Sequence, residues 1–308
     1  MNQTANRALL LSAKVAVVAC VVWFVSGSLS DAWRQIGEQG LTIAPGYAAL
    51  SGLLLLLGQL PMAWYWRRTL AALDQPAPVW PAVAAYYLSQ IGKYVPGKAA
   101  VVAIRTERFV AIAGGKPTQV AASVFYETLT LMAVGGVLSA ALLAARFGSR
   151  EGWLAVLAAT LGVACLAPIV PPVAAWLMRK LTKRTDSSES PAYRFTWSLM
   201  GEGGVYALAA WGVMATSIWA AGRAVGVDNA DSDAGLWLLA AALPVVAGFL
   251  SLLPAGVVVR DGLMLKLLAP TLGEAGALAT TLATRVIWIA AEALVCVILS
   301  VMVGKRSA

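Results

Sequence analysis

The stretch YYLSQIGKYVPGKAAVVAIRTERF, Tyr86 to Phe109, gathers Lys93, Lys98, Arg105, Glu107 and Arg108 around a Pro-Gly pair inside a very apolar chain. Two readings compete. In one, the segment is a single helix kinked at Pro96, with its charges stranded near the middle. In the other, the chain turns at Pro96 and Gly97 and leaves by the face through which it entered. Irregular backbone at membrane depth is tolerated only where protein or a polar cavity surrounds it. A re-entrant hairpin over 78–112 is therefore the better reading. The segment 235–270, broken in LLPAGVVVRDG by Pro254 and Gly256, is read in the same way.

The rest of the chain sets this hairpin in a membrane. Of 308 residues, 60% are hydrophobic and 12% charged, and mean hydropathy is +0.76, far from the balance of a soluble domain. Apolar runs near 8–28, 47–66, 118–145, 151–178, 201–222 and 272–303 each approach or exceed the roughly 20 residues that cross about 30 Å of hydrocarbon. No segment alternates residue by residue as a barrel strand does. The predicted fold is an all-α integral membrane protein with six full transmembrane helices and two re-entrant helical hairpins. The first run could pass for a signal peptide, but Lys14 interrupts it and its length suits a retained helix.

Lysine and arginine in short loops give the orientation. With the N-terminus inside, Arg67, Arg68, Arg179, Lys180, Lys183 and Arg184 fall on the cytoplasmic side of a cell (inner) membrane, and both termini are cytoplasmic. Residues 1–308 then form one polytopic domain: a first half 1–178, a cytoplasmic linker 179–200 and a second half 201–308. The hairpins open to opposite faces, which makes the halves an inverted repeat. An ionisable residue follows each broken proline by 31 positions, Glu127 after Pro96 and Arg285 after Pro254. Glu127 lies about 14 Å and Arg285 about 16 Å into their helices at 1.5 Å per residue. Interrupted helices meeting at the midplane are the plan of many secondary transporters.

Pro96 suits the first turn of a helix, and Gly97 lets a ligand approach its backbone. With Lys93 and Lys98 beside the free N–H groups, the break reads as an anion site, with phosphate the obvious anion. A plainer reading has the lysines snorkelling to the interface beside Tyr86, Tyr87 and Tyr94. Arg105 and Arg108, three residues apart, either extend this basic path or form a solvated helix end. Arg260 and Asp261 form an internal ion pair or the outer counterpart of the anion site. Glu127, Arg285 and Glu292 sit among apolar residues, where each would cost at least ~2.5 kcal/mol unpaired. A Glu127–Arg285 bridge is expected, with Glu292 on the same helical face as Arg285.

Several classes fall away. There is no histidine, which removes Ser-His-Asp catalysis and the usual zinc sites. Cys20, Cys165 and Cys296 are scattered through apolar runs and read as packing residues. The formal charge of +8 sits beside the spans and favours lipid headgroups over nucleic acid. No Walker-type loop is present. No metal, cofactor or catalytic constellation is expected, so the chain reads as a transporter rather than an enzyme.

LSQIGKYVPGKAA, the glutamate in FYETL, LLPAGVVVRDGLMLKLL and the arginine in ATRVIW together resemble, in that order, the transmembrane flippase-like region of lysylphosphatidylglycerol synthases and its stand-alone relatives. The resemblance spans about 78–300. It implies a lipid-handling membrane protein. In bifunctional members this region precedes a soluble aminoacyl-transferase domain; these residues contain none, so that activity is not carried over. Val257 to Val259 stand where relatives often have a small residue, and Asp261 where glutamate is common. The expected function is a lipid translocase for an anionic phospholipid or isoprenyl-phosphate-type headgroup. Lys93, Gly97, Lys98, Arg105, Arg108, Arg260 and Arg285 would receive it. The alternatives are an intramembrane enzyme on lipid phosphates and a non-catalytic module that docks a lipid-modifying enzyme. The expected partners are membrane lipids.

Overall fold

The computed structural model describes residues 44–94, 99–147, 152–182, 194–227, 233–250 and 257–304. Their regular structure is entirely helical: α1 (Pro45–Ala72), α2 (Val79–Ser89), α3 (Ala99–Ala113), α4 (Pro117–Phe147), α5 (Gly152–Leu166), α6 (Pro171–Thr182), α7 (Trp197–Ala224), α8 (Ala234–Leu250) and α9 (Val257–Gly304). Short 3-10 turns cover Gln90–Tyr94 and Ala167–Ile169. The first apolar run, Cys20, most of the linker, and Pro96, Gly97, Lys98, Pro254 and Gly256 lie outside the described residues.

Local chemistry sets the helix boundaries. Helices α1, α4 and α6 begin on proline, whose missing N–H has no partner to lose in the first turn. Thr196 caps α7, its side-chain oxygen accepting the Leu199 N–H at 3.1 Å. Helix α9 passes through Gly273 at φ 72°, a left-handed conformation that a side chain disfavours. This divides α9 into an arm before the glycine and a longer arm after it.

Four helices, α1, α4, α7 and α9, are long and apolar enough to cross a membrane. The expected crossing at 151–178 is not one straight helix: it is two helices whose axes differ by 62°. Pro168, Pro171 and Pro172 remove successive backbone donors there and prevent one continuous helix. Counted as one bent span, the pair gives a fifth crossing. The expected separation between 235–270 and 272–303 falls at Gly273, whose φ of 72° and ψ of 164° are non-helical and divide the Val257–Gly304 run into two helices. Leu53, Val205, Leu294 and Val297 turn outward, all more than half exposed. An apolar exterior of this kind fits a lipid surround.

Helices α1 and α7 form the most extensive helix pair, and they run antiparallel. The Ala44 N–H donates to the Ala224 carbonyl at 2.8 Å, and the Arg194 N–H to the Ala72 carbonyl at 2.9 Å. Between these ends Ser51 and Ser217 exchange hydroxyl-to-carbonyl bonds, each 2.8 Å. Helices α4 and α5 approach backbone to backbone: a Cβ on Gly136 would lie 2.6 Å from the Cα of Gly162. Small residues allow such contact, and it replaces the hydrophobic drive that lipid cannot supply between helices.

After α1 and after α7 the chain follows the same order: a short helix, a break, a second helical arm and a long helix. In the first half the short arms fold back on each other. Gly92 lies against Val101, where a Cβ would come within 2.8 Å of the backbone nitrogen, and Arg105 reaches back to Ser89. The core packs around Trp66, Trp211, Tyr65 and Phe109, all fully buried. Both indole N–H groups have partners, Trp66 on the Ser123 hydroxyl at 2.8 Å and Trp211 on the Leu131 carbonyl at 3.2 Å.

Candidate functional site

Two arrays of charge are built on this frame. In the first, α3 carries Arg105 into the protein against α2 and α4. Its Nε donates to the Ser89 hydroxyl at 2.9 Å and its Nη1 to Glu127 Oε2 at 2.8 Å. The guanidinium carbon lies 4.1 Å from the Tyr86 ring centroid and 5.3 Å from that of Trp66. The Tyr86 hydroxyl donates to the other oxygen of Glu127 at 3.3 Å, and the Thr128 hydroxyl adds a bond at 3.3 Å. Side-chain exposure is 3% for Arg105 and 2% for Glu127. Both charges are matched inside the protein, which is how an ion pair survives at this depth.

The second array lies where Lys93 and Tyr94, at the end of the first helical arm, meet α9. Glu292, on the long arm of α9, receives donors from two other parts of the chain. Gln59 Nε2 on α1 donates to Oε1 at 2.6 Å, the Tyr94 hydroxyl donates to Oε2 at 2.8 Å, and Lys93 Nζ pairs with Oε1. Lys93 and Tyr94 close the first helical arm, so this carboxylate ties that break to α9. Arg260 opens α9 just after the second break and lies within electrostatic range of Lys93 and Tyr94. Arg285 Nη1 donates to Asp261 Oδ2 at 2.9 Å, and Arg285 also acts on Tyr94.

Arg260 differs from its neighbours. Its guanidinium carbon sits 4.7 Å from the centroid of the Trp288 ring, and among the described residues it forms no ion pair or hydrogen bond. Trp288 is held in turn by its N–H bond to the Ser217 hydroxyl at 2.9 Å. An arginine that stacks by its face keeps its edge donors for a planar or tetrahedral oxoanion. The α1–α7 serine pair thus fixes the ring that carries this cation.

The family model described as "Lysylphosphatidylglycerol synthase TM region" matches residues 11–296. The chain belongs to that family. No curated protein matches it. With its apolar helices, membership makes this lysylphosphatidylglycerol synthase-type chain a multi-pass membrane protein with a lipid-related role.

The structure regroups the residues singled out in this family member's sequence. Lys93, Arg260, Arg285, Asp261 and Glu292 converge. The expected Glu127–Arg285 bridge is corrected: Glu127 pairs with Arg105, and Arg285 with Asp261. The partner that sequence spacing missed comes from the arm just before each long helix, folded back against it. Arg105 and Arg108 do not act together either, because one is buried and the other exposed: they lie about 60° apart around the helix, and the edge of the buried face runs between them. Gln59 and Trp288 went unnoticed. Gln59 is the one amide in LLLLLGQLPMAW, and that isolation was the available signal.

Proposed function

We propose that this chain is a lipid translocase. It passes an anionic phospholipid-type headgroup between two re-entrant hairpins of opposite orientation while the apolar chains stay in lipid. Six full crossings frame the hairpins in an inverted repeat, with both termini on the cytoplasmic side of the cell membrane. The antiparallel course of α1 and α7 supports the inversion, as does the shared order of elements after each.

The observation that carries the reading is Arg260. A guanidinium stacked on Trp288, hydrogen-bonded to no carboxylate among the described residues and next to Lys93 and the Asp261–Arg285 pair, offers phosphate a charge partner at depth. Headgroup transfer is an exchange of counter-ions. A phosphate leaving water needs a cation at each stage, and the cations need acids when it departs. Lys93 has Glu292 and Arg285 has Asp261, so each can return to its resting partner. In this reading the chain acts as a transporter rather than an enzyme, and a lipid-modifying enzyme is its natural supplier of substrate.

Reconstitution into vesicles tests this. Labelled phospholipids and a labelled isoprenyl phosphate should cross faster with the wild-type protein than in protein-free vesicles. Arg260→Ala should slow that movement by about tenfold or more, the loss of roughly 1.4 kcal/mol of charge-assisted bonding, at unchanged thermal stability. Equal rates for wild type and Arg260→Ala would remove the assignment. Release of free headgroup in the same vesicles would favour the enzyme reading.

A further inference from the structure

The site described above contains a polar atom that it leaves unused. Gln59 is 7% exposed, and its Oε1 is buried with no hydrogen-bond partner among the described residues. The orientation of the amide is not free. Nε2 faces the Glu292 carboxylate at 2.6 Å; a flipped amide would set oxygen against oxygen, so the carboxylate dictates that Oε1 is left over. The neighbouring hydroxyl cannot serve it, since Tyr94 gives its single proton to Glu292. Lys93 is also drawn to that carboxylate. A buried acceptor without a donor is destabilising, and its presence beside a cation cluster marks a place for a donor that arrives from outside.

The geometry points to Gln59 as a selectivity residue: its Oε1 accepts a hydrogen bond from the polar end of the headgroup while Arg260 holds the phosphate. The preferred ligand class is a phosphodiester lipid whose outer group carries an O–H or N–H. A trimethylammonium group has no such donor and leaves Oε1 unsatisfied. Sites built around a hydrogen bond reject analogues that lack it far better than apolar pockets reject extra bulk. This rests on the headgroup reading above and narrows it.

The test compares three lipids with identical acyl chains: phosphatidylglycerol, phosphatidylethanolamine and phosphatidylcholine. Native mass spectrometry of the detergent-purified protein reads binding, and vesicle assays read movement. Wild type should bind the glycerol and ethanolamine lipids about tenfold more tightly than the choline lipid, and the stronger of the two identifies whether hydroxyl or ammonium is the natural donor. Gln59→Leu should bring all three to one common value. Its loss of the Glu292 contact would weaken every lipid alike, so the ratio is the readout that a structural role does not move. Gln59→Met serves if the leucine variant does not fold, and the wild-type ratio needs no variant at all.

No preference in wild type, as expected if a water satisfies Oε1, would overturn the inference. So would a preference that persists in Gln59→Leu. Lipid movement without preference would leave the translocase reading standing alone. Selective binding without movement would sink translocation and keep the headgroup site.

Discussion

The ion pairs that follow the two chain breaks have nearly the same sequence spacing but opposite polarity and different depth. In the first half the cation comes first, Arg105 to Glu127, 22 residues apart; in the second the acid comes first, Asp261 to Arg285, 24 residues apart. Arg105 and Glu127 are 3% and 2% exposed, whereas Arg285 and Asp261 are 20% and 25% exposed. Each joins the arm after its break to the long helix beyond. The sealed pair has three further hydrogen bonds, from Arg105 to Ser89 and from Tyr86 and Thr128 to Glu127. The open pair adjoins Arg260 and Tyr94. One geometry thus serves as a clamp where it is buried, and as an exchangeable contact where it is half-open.

The largest test of this contrast is to break the clamp. Arg105→Met leaves Glu127 buried without its cation, and stability in detergent should fall by about 3–5 kcal/mol, read as a lost thermal transition. The double variant Arg105→Met, Glu127→Leu should recover most of it. If the single variant unfolds no earlier than wild type, the pair is not a clamp.

Next comes the tie between the first helical arm and α9. Glu292→Leu removes the acceptor for Lys93, Tyr94 and Gln59 together. A cost of about 2–3 kcal/mol is expected for losing a charged acceptor, with faster trypsin cleavage at Lys93. Unchanged cleavage would show that the arm is held by other contacts.

Asp261→Asn should be milder, about 1 kcal/mol, because the part-exposed Arg285 can recruit water. Its effect on lipid movement should exceed its effect on stability. Should stability fall as far as in Arg105→Met, the distinction between the two pairs is lost.

The smallest effect sits outside the membrane segments. Asp233 joins the two halves at the start of α8: it pairs with Arg146 of α4 and accepts the Gly235 N–H at 2.8 Å and the Leu236 N–H at 3.2 Å. The hydrogen bond from Arg146 is the main cause that holds its carboxyl below the usual range, with the Leu236 and Gly235 amides assisting. Stability from this group is therefore present above the unfolded value of about 3.9 and is lost as pH falls through the lower folded value. The partners are part-exposed, so less than about 1 kcal/mol is at stake. Thermal scans between pH 5 and pH 2.5 should converge for wild type and Asp233→Asn at the acid end; parallel curves would remove Asp233 as the cause.

Much of the site was legible before any coordinates. Lone charges in apolar runs identified Glu127, Arg285 and Glu292, because burying charge is costly enough that chance placement is rare. Their partners were not legible. Spacing sets Glu127 and Arg285 at equal distances after Pro96 and Pro254, and equal spacing does not by itself make a contact. Gln59 and Trp288 gave weaker signals still, since neither residue is unusual in a membrane helix until its neighbours are known.

Composition and hydropathy alone determined that the chain is helical and lives in lipid, for backbone groups without water must bond within their own segment. Helix starts at Pro45, Pro117 and Pro171, and the bend around Pro168, follow from the same local bonding rules. Only tertiary packing decided which acid meets which base, and that Arg260 would lie on the Trp288 ring. Those pairings join residues as far apart as Lys93 and Glu292, and no periodicity within one segment encodes the partner that another segment brings to it.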